Sequence, residues 1–567
     1  MDSETTEPLT SSSSISNSPI SKLHRDLLWN IFSLNAADSS FYFAECSENG
    51  PLTTTRRCSQ VCVLWRQIIL DSPSIWGNCI NLHLLGQEHG DWRNEVLQRT
   101  GDAPLCVQSH YSKPVTSNTN IHRFLVDLID AHWERIQMFD VCVQSQQTLN
   151  NAKVWSAFSR TAPNLRVFSI ISLNNKSKET IAGPFPKHSL HLFSDKAPVL
   201  VEFSLHDDTI VMPISFRPFP PALLSPNLQY LNIDQPTEFA ATDLLAACEQ
   251  MPNLKVLRIV ISRLIADDPQ NEYMYSHRKV SLPSLMAITI AGPELEIYPA
   301  FFGHITAHPG CALRVDATLS RTGTEFPEAE TAKVQKMLQI FLEYSNTFFD
   351  HYRGGQHALR KLFVDILPGT LNLTTYQHNY DFRLSGNGHD DISLHILDMV
   401  FNTMAALKFP STITQLELFL MSNQPTISNG TLFKLFLALG SINELTTSPA
   451  SLSYLHNICR SEDVSVFPFL KVLYLRILDG ALDEEKNIKP FLFARRSTVP
   501  IEVLDLTRSA WPLGDLRFLD ALTGLKLSWM QDQVLHEYVC GSGNSENLLL
   551  CDRNTYMPDY DSDDESF

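Results

Sequence analysis

The sequence predicts an α/β protein in which a small all-α N-terminal region precedes an irregular array of parallel strands backed by helices. Three observations lead to this prediction. Apolar residues occur at helical spacing before residue 80, short alternating strand segments recur after it, and helical segments lie between those strands. At 567 residues the chain is too long for one compact core, so several domains or an elongated array are expected.

The composition is that of a folded, acidic chain. Hydrophobic residues make up 44% and charged residues 19%, which excludes wholesale disorder, and no apolar run is long enough to span a membrane. The formal net charge of -18 opposes attraction to nucleic-acid phosphates. Residues 1–18 are rich in Ser and Thr, lack the features of a signal peptide, and are expected to form a disordered tail.

The cysteines indicate the compartment. They number 11 and lack the regular spacing of a disulfide framework, so we expect reduced thiols. With the composition, this predicts a protein of the cytoplasm or the nucleus, with no nucleic-acid partner and no membrane partner.

Two helices are predicted near the N-terminus. Leu23, Leu27, Leu28, Ile31 and Phe32 form one apolar stripe on the first. The second runs from the threonines at 53–55 to a stop at 72–73, and the tryptophan at 76 closes the unit. Spacing alone is equally compatible with two amphipathic helices that simply pack on each other.

Residue identities indicate more than the spacing does. The run Leu-x-x-Asp-Leu-Leu-x-x-Ile-Phe from Leu23, the run Gln-Val-Cys-x-x-Trp from Gln60 and the ending Ser-Pro-x-x-Trp from Ser72 together resemble an F-box. The resemblance is to members of the large fungal F-box families. His24 stands where the family usually has proline, and the loop at 35–51 is longer than usual.

The resemblance implies an F-box at 19–79 that docks on the Skp adaptor of a cullin-RING ubiquitin ligase. In that family the two helices and the loop between them bury aliphatic and aromatic surface against the adaptor. The adaptor-binding residues implied for this chain are Leu23, Leu28, Ile31, Phe32, Val61 and Trp65.

A short alternating strand, often introduced by Pro-x-Leu, recurs through the body of the chain. Its copies lie at 163–170, 198–205, 226–233, 252–259, 283–290, 468–475 and 500–506. Across the first five copies, successive first leucines are 35, 28, 26 and 31 residues apart, a period that fits leucine-rich repeats. Alternation within each copy would turn the apolar side chains inward and leave the alternates on a concave sheet, where a ligand would be read.

Helical segments separate these strands. The apolar spacing predicts helices at 121–133, 237–250 and 330–344, and a further strand at 136–143. We therefore predict a leucine-rich-repeat-like solenoid at 80–550 with an irregular insertion at about 314–415. An ordinary doubly wound α/β domain is the alternative, although no fingerprint glycine loop is present.

No catalytic motif is recognisable, so we expect no catalytic residue, no metal and no cofactor. Cys58 and Cys62 are four residues apart but lack further ligands. The triplet His389, Asp390 and Asp391 is typical of a solvated loop. The segment 551–567 is expected to be a disordered acidic tail, in which Ser562 is a candidate phosphorylation site.

The function expected is that of a non-catalytic substrate receptor: the F-box binds the Skp adaptor, through it a cullin, and the repeats bind an unknown target protein. Two other classes remain open. The chain could be an F-box and repeat scaffold that acts outside a ligase, or an enzyme whose site lies in the irregular region at 314–415.

Overall fold

The computed structural model describes residues 23–37, 50–111, 113–116, 119–144, 151–173, 191–207, 219–264, 279–292, 295, 297–319, 328–352, 359–367, 370–375, 380–386, 392, 394–408, 411–420, 429–462, 466–476, 484–509, 515–531 and 533–550. The chain divides into two compact units. The first comprises residues 1–214 and 221–223, and the second comprises residues 215–220 and 224–567.

The first unit begins with four short helices and continues as alternating strands and helices. Its helices are α1 (Arg25–Ala37), α2 (Pro51–Cys58), α3 (Val63–Leu70), α4 (Pro73–Gly77), α5 (Leu82–Leu85), α6 (Asp91–Arg99), α7 (Asn120–His132) and α8 (Ala152–Phe158). Its strands are β1 (Ile80–Asn81), β2 (Leu105–Gln108), β3 (Ile136–Val143), β4 (Val167–Ser172) and β5 (Glu202–Asp207). These strands pair in chain order, and every pairing is parallel.

Aromatic side chains fill the core of the first unit. Phe139, Phe168 and Phe203 lie directly opposite one another on neighbouring strands, and their stacked rings are 5.6 and 5.5 Å apart between centroids. Trp133, at the end of α7, packs on Phe158 of α8 at 5.1 Å. Stacked aromatic rings bury large areas of apolar surface, so they hold these helices on the sheet.

The second unit is larger and follows the same pattern. Its strands are β6 (Tyr230–Phe239), β7 (Val256–Leu264), β8 (Val280–Leu282), β9 (Ala287–Gly292), β10 (Ile305–Ala307), β11 (Ala312–Leu319), β12 (Lys361–Leu367), β13 (Thr370–Thr375), β14 (Tyr380–Gly386), β15 (Gln415–Leu420), β16 (Glu444–Thr447), β17 (Val472–Leu475), β18 (Val503–Asp505), β19 (Lys526–Gln531) and β20 (Val534–Val539). Its helices are α9 (Ala241–Glu249), α10 (Ile297–Phe302), α11 (Glu328–Tyr352), α12 (Leu394–Ala405), α13 (Asn429–Ala438), α14 (Pro449–Glu462) and α15 (Glu484–Arg495).

The main sheet of the second unit has the order β6-β7-β9-β11-β14-β13-β12-β15-β16-β17-β18-β19-β20. Neighbouring strands are parallel except where β13 lies between β14 and β12 and where β20 pairs with β19. Strands β8 and β10 form a separate parallel pair. The structure therefore confirms an α/β fold whose sheets are mostly parallel.

A recurring turn explains why proline and leucine introduce the strands. The leucine N–H donates to the carbonyl oxygen of the residue before the proline, three positions back, which closes a β-turn with proline at its second position. The same bond links Leu165 to Ala162, Leu200 to Ala197, Leu228 to Ser225, Leu254 to Met251 and Leu285 to Leu282. Each of these leucines is buried. The fixed φ of proline favours the turn, and the buried leucine anchors the chain where the strand begins.

The predicted irregular stretch at 314–415 contains the antiparallel pairings of β12, β13 and β14. After β11 the long helix α11 leads to β12, and the chain then turns back twice, so that β14 pairs with β11 and β12 pairs with β15. Phe341 of α11 packs on Phe382 of β14 at 4.4 Å, which holds the helix on the buried side of this hairpin region. No helix among the described residues is long and apolar enough to cross a membrane.

Candidate functional site: an apolar surface on the N-terminal helices

Helix α1 begins one residue after His24. The His24 carbonyl oxygen accepts hydrogen bonds from the N–H groups of Leu27 and Leu28, and its ring Nδ1 accepts from the N–H of Asp26 at 3.3 Å. A side-chain acceptor for an N–H of the first turn is what a helix cap supplies. His24 thus supports the start of the helix by a hydrogen bond, at a position where a proline would do so by its fixed φ.

The second predicted helix is in fact two helices, so that part of the prediction was wrong. The threonines at 53–55 lie inside α2, which begins at Pro51, and the chain leaves helical geometry before α3. The hydroxyl of Ser59 donates to the Arg56 carbonyl oxygen at 2.7 Å, and Cys62 is extended, with φ −156° and ψ 169°. The break places Val61 in an exposed turn between the helices.

The helices pack around their own small core. Leu28 and Phe32 of α1 are buried together with Ile68 and Ile69 of α3. The Phe32 ring meets the ring of Trp65 edge to face at 5.0 Å.

Helix α4 joins the same core. Trp76 is fully buried, and its Nε1–H donates to the Ile69 carbonyl oxygen at 2.9 Å. The Ser72 hydroxyl donates to the carbonyl oxygen of Ile68. These bonds satisfy the polar groups at the end of α3, so the four helices form a defined local structure.

The structure places the six predicted adaptor-binding residues in different environments. Leu28 and Phe32 lie inside the helical core and expose almost none of their surface. Ile31 and Val61 are exposed, whereas Leu23 and Trp65 are half-buried. The apolar stripe predicted from the sequence combines inner and outer residues. Adjacent positions such as Leu27 and Leu28 are about 100° apart on a helix, so only one of them faces the core.

Apolar side chains that this core leaves exposed form the candidate surface. Leu34 is 73% exposed and Val63 is 71% exposed. The full set of large exposed apolar residues on these helices is Leu27, Trp29, Ile31, Leu34, Val61, Val63, Leu64 and Leu70. We call the members of this set other than Trp29, which lies on the opposite side of α1 from Leu27, the apolar surface. Concentrated exposure of this kind marks an interaction site more often than scattered single residues do.

Sequence reasoning missed part of this surface, although a signal was present. Leu27, Ile31 and Leu34 are spaced four and three residues apart, which defines a second stripe beside the inner one of Leu28 and Phe32. The core of the four helices uses only the inner stripe of α1, so the outer stripe is left exposed. No pattern in the sequence marks Val63 and Leu64 as exposed, because the break before α3 is not evident from the sequence.

Two cysteines of these helices, Cys58 and Cys62, are four residues apart in the sequence. Burial raises the pKa of the Cys58 thiol, and Cys62 lies exposed on the other side of the break between α2 and α3. In the parts of the chain that the structure describes, no group of three or more His, Cys, Asp or Glu residues could hold a metal ion.

A second region left uncovered is one face of the main sheet of the second unit. A single register row crosses it, and opposite residues in a row point to the same side of a sheet. The row runs through Asn232, Arg258, Thr289, Arg314, Asp381, Thr374, Phe363, Glu417, Thr446, Tyr474, Asp505 and Ser528. Residues that alternate with these, such as Leu257, Leu313 and Leu416, are buried. We call the side that carries this row the open face.

The chain was also compared with known proteins. No model of a known protein family matches it, and no curated protein was found to match it. The triplet His389, Asp390 and Asp391 lies outside the described residues, as do the predicted tails at 1–18 and 551–567 with Ser562.

Proposed function

We propose that this protein is the substrate-recognition subunit of a Skp-cullin-F-box ubiquitin ligase and that it has no catalytic role of its own. The N-terminal helices bind the Skp adaptor. The parallel strands and their helices form a leucine-rich-repeat-like solenoid whose open face binds the target protein. The protein acts by bringing a target lysine near the charged ubiquitin carrier, which raises the effective concentration of one reactant near the other.

The apolar surface is the observation that supports this proposal most. Leu34, Val61 and Val63 remain in water after the four helices have built a core of their own. Covering such side chains is favourable by about 25 cal/mol for each Å² removed from water, before the costs of association. A partner with an apolar groove would therefore gain free energy by docking here, as the resemblance of the sequence to an F-box implies.

The decisive experiment is co-expression of the full chain with a Skp-family adaptor, followed by purification through a tag on the chain. The test variant is Ile31→Glu with Val63→Glu, which puts carboxylates into the apolar surface without touching the core. The matched control is Leu437→Glu with Val534→Glu, where residues of similar exposure lie in the second unit. We expect the wild type and the control to retain the adaptor and the test variant to lose it.

Two results would contradict the proposal in different ways. If the wild type retains no adaptor, or if the test variant retains it as well as the control does, docking through the apolar surface is wrong. If the adaptor complex forms but never recruits a cullin, the chain is a scaffold that acts outside a ligase.

A further inference from the structure

Ion pairs on the open face of the second unit are layered. The carboxylates lie deeper in the sheet surface and the cations lie above them. The pairs, with their closest nitrogen–oxygen distances, are Arg258–Asp234 (2.6 Å), Arg314–Asp381 (3.2 Å), Arg383–Asp316 (4.0 Å), Lys361–Glu417 (2.6 Å) and Arg508–Glu417 (3.7 Å).

Side-chain exposure shows the layering in every one of these pairs. Arg258 is 33% exposed above Asp234 at 11%, and Arg508 is 52% exposed above Glu417 at 14%. By contrast, Lys471 and Glu502, which precede β17 and β18, are equally exposed. In these five pairs the cation is therefore the outward partner, although the whole chain is acidic.

A cavity of about 360 Å³ opens among these cations. The antiparallel hairpin of β12, β13 and β14 interrupts the parallel ladder here. The cavity is lined by Arg314, Phe363, Asn372, Thr374, Thr375, Asp381 and Arg383.

The two arginines of the cavity are held in place from one side. Arg383 donates from Nε to Asn372 Oδ1 at 2.9 Å. Asp381 accepts from the Thr374 hydroxyl at 2.7 Å and pairs with Arg314 Nε. Among the described residues this is the one ion pair of Arg314, so its terminal amino groups can receive an external oxyanion. A guanidinium presents its N–H groups in a planar fork that matches a carboxylate.

Aromatic side chains lie on the same face of the sheet as the cavity. The rings of Phe363 and Phe419 are 6.0 Å apart, and the Arg508 guanidinium lies over the Tyr474 ring at 5.1 Å from its centroid. Half-buried rings beside cations can hold an apolar side chain while the cations hold an acidic one.

We propose that the open face binds an acidic peptide segment of a partner protein. One glutamate or aspartate side chain enters the cavity between Arg314 and Arg383, and an apolar side chain near it in the peptide rests on Phe363 and Phe419. The inference rests on the proposed function and deepens it, because it names the chemical class of the target segment.

A peptide suits this face better than a nucleic acid does. The carboxylates of Asp234, Asp316, Asp381 and Glu417 lie directly beneath the cations and would repel a polyanion with closely spaced phosphates. An acidic peptide with separated charges can bind single guanidinium groups, while the cations continue to cover the carboxylates beneath them.

The test measures binding by fluorescence anisotropy with the purified full chain. The probe is a fluorescein-labelled peptide of repeated Ser-Glu-Leu, in which the charges are separated, and the control probe is the same peptide with Gln in place of Glu. We expect the acidic probe to bind and the neutral one to bind at least about tenfold more weakly, because charge-assisted hydrogen bonds are lost.

Variants locate the site. Arg314→Gln with Arg383→Gln should weaken binding of the acidic probe by about tenfold, whereas Lys471→Gln, outside the layered pairs, should leave it within about twofold. Phe363→Ala, which keeps all the charges, gives a second route if the double variant fails to fold, and should weaken the acidic probe by about fivefold. Circular dichroism and thermal unfolding establish which variants are folded.

Several outcomes would overturn the inference. These are equal binding of both probes, unchanged binding in the folded cavity variants, or displacement of the peptide by a short single-stranded RNA at equal concentration. Failure of the proposed function is distinguishable, since Ile31→Glu with Val63→Glu should abolish adaptor retention and leave peptide binding intact. An adaptor complex that binds no acidic peptide would end this inference alone.

Discussion

The apolar surface of the N-terminal helices and the open face of the second unit are both left uncovered by the packing of their own unit, yet they differ in chemistry. The first exposes aliphatic side chains such as Leu34 and Val63. The second exposes arginines that are already paired, such as Arg258 and Arg314. Apolar burial provides affinity with little directional preference, whereas fixed charges select a partner by geometry. Under the proposed function, the first surface would bind a constant partner and the second would discriminate among partners.

The largest expected effect tests the separation of inner and outer residues on α1. Leu28→Ala should lower the free energy of unfolding by about 3 kcal/mol, because it opens a cavity in the helical core. Leu34→Ala, the same substitution on the exposed side, should change it by about 0.5 kcal/mol or less. Urea unfolding followed by tryptophan fluorescence measures both. Equal effects would mean that the inner and outer stripes of α1 are not distinct, so that the N-terminal helices have no separate apolar surface.

Salt separates the two surfaces with an intermediate effect. Raising the salt concentration about tenfold should weaken binding of the acidic peptide by about tenfold, because exposed charges are screened. Binding of the Skp-family adaptor should change by less than about twofold, since aliphatic side chains carry no charge. Anisotropy titrations and adaptor retention at two salt concentrations give the values. A peptide affinity that does not respond to salt would contradict the role given to the cations.

The smallest expected effect concerns Asp316, one of the carboxylates beneath the cations of the open face. Burial raises the pKa of Asp316 above that of an ordinary aspartate, while Arg383 and Arg314 lower it, Asp381 raises it, and Arg258 lowers it. Asp316→Asn mimics the protonated form, so at neutral pH it should strengthen binding of the acidic peptide by about threefold.

The sign of the pH dependence follows from that shift. Because the pKa of Asp316 is raised, protonation of the wild type begins at a higher pH than for an ordinary aspartate. The difference in peptide affinity between the wild type and Asp316→Asn should therefore become smaller as the pH falls from neutral towards that raised pKa. Comparing the two proteins at each pH removes the contribution of the peptide carboxylates. A difference in peptide affinity that grows as the pH falls would contradict the role given to Asp316.

The fold could be predicted from the sequence to a considerable extent, and particular elements show why. The strand predicted at 136–143 has the observed bounds, and each of the seven predicted strand copies leads into an observed strand. Alternation and turn chemistry are local properties, so they are visible in one sequence. The break between α2 and α3 was missed, because Thr, Arg, Cys and Val are compatible with a helix and only the hydrogen bonds of Ser59 and the extended Cys62 end it.

The candidate sites were less predictable. Of the residues predicted to contact the adaptor, Ile31 and Val61 are exposed, whereas Leu28 and Phe32 are buried. The ion pairs of the open face were not foreseen, since Arg258 and Asp234 or Lys361 and Glu417 become neighbours only through strand pairing. The hairpin region was recognised as irregular, but its strand order was not predictable.

The sequence by itself determined the class of the chain: alternating strands, intervening helices, and an N-terminal stretch with more apolar surface than its own helices bury. These properties depend on residues that are close together in the sequence, so the sequence alone specifies them. Only the tertiary structure decided which apolar residues stay outside and which cations stand above which carboxylates. Burial and ion pairing depend on distances between residues far apart in the chain, and those distances exist only after the strands have paired.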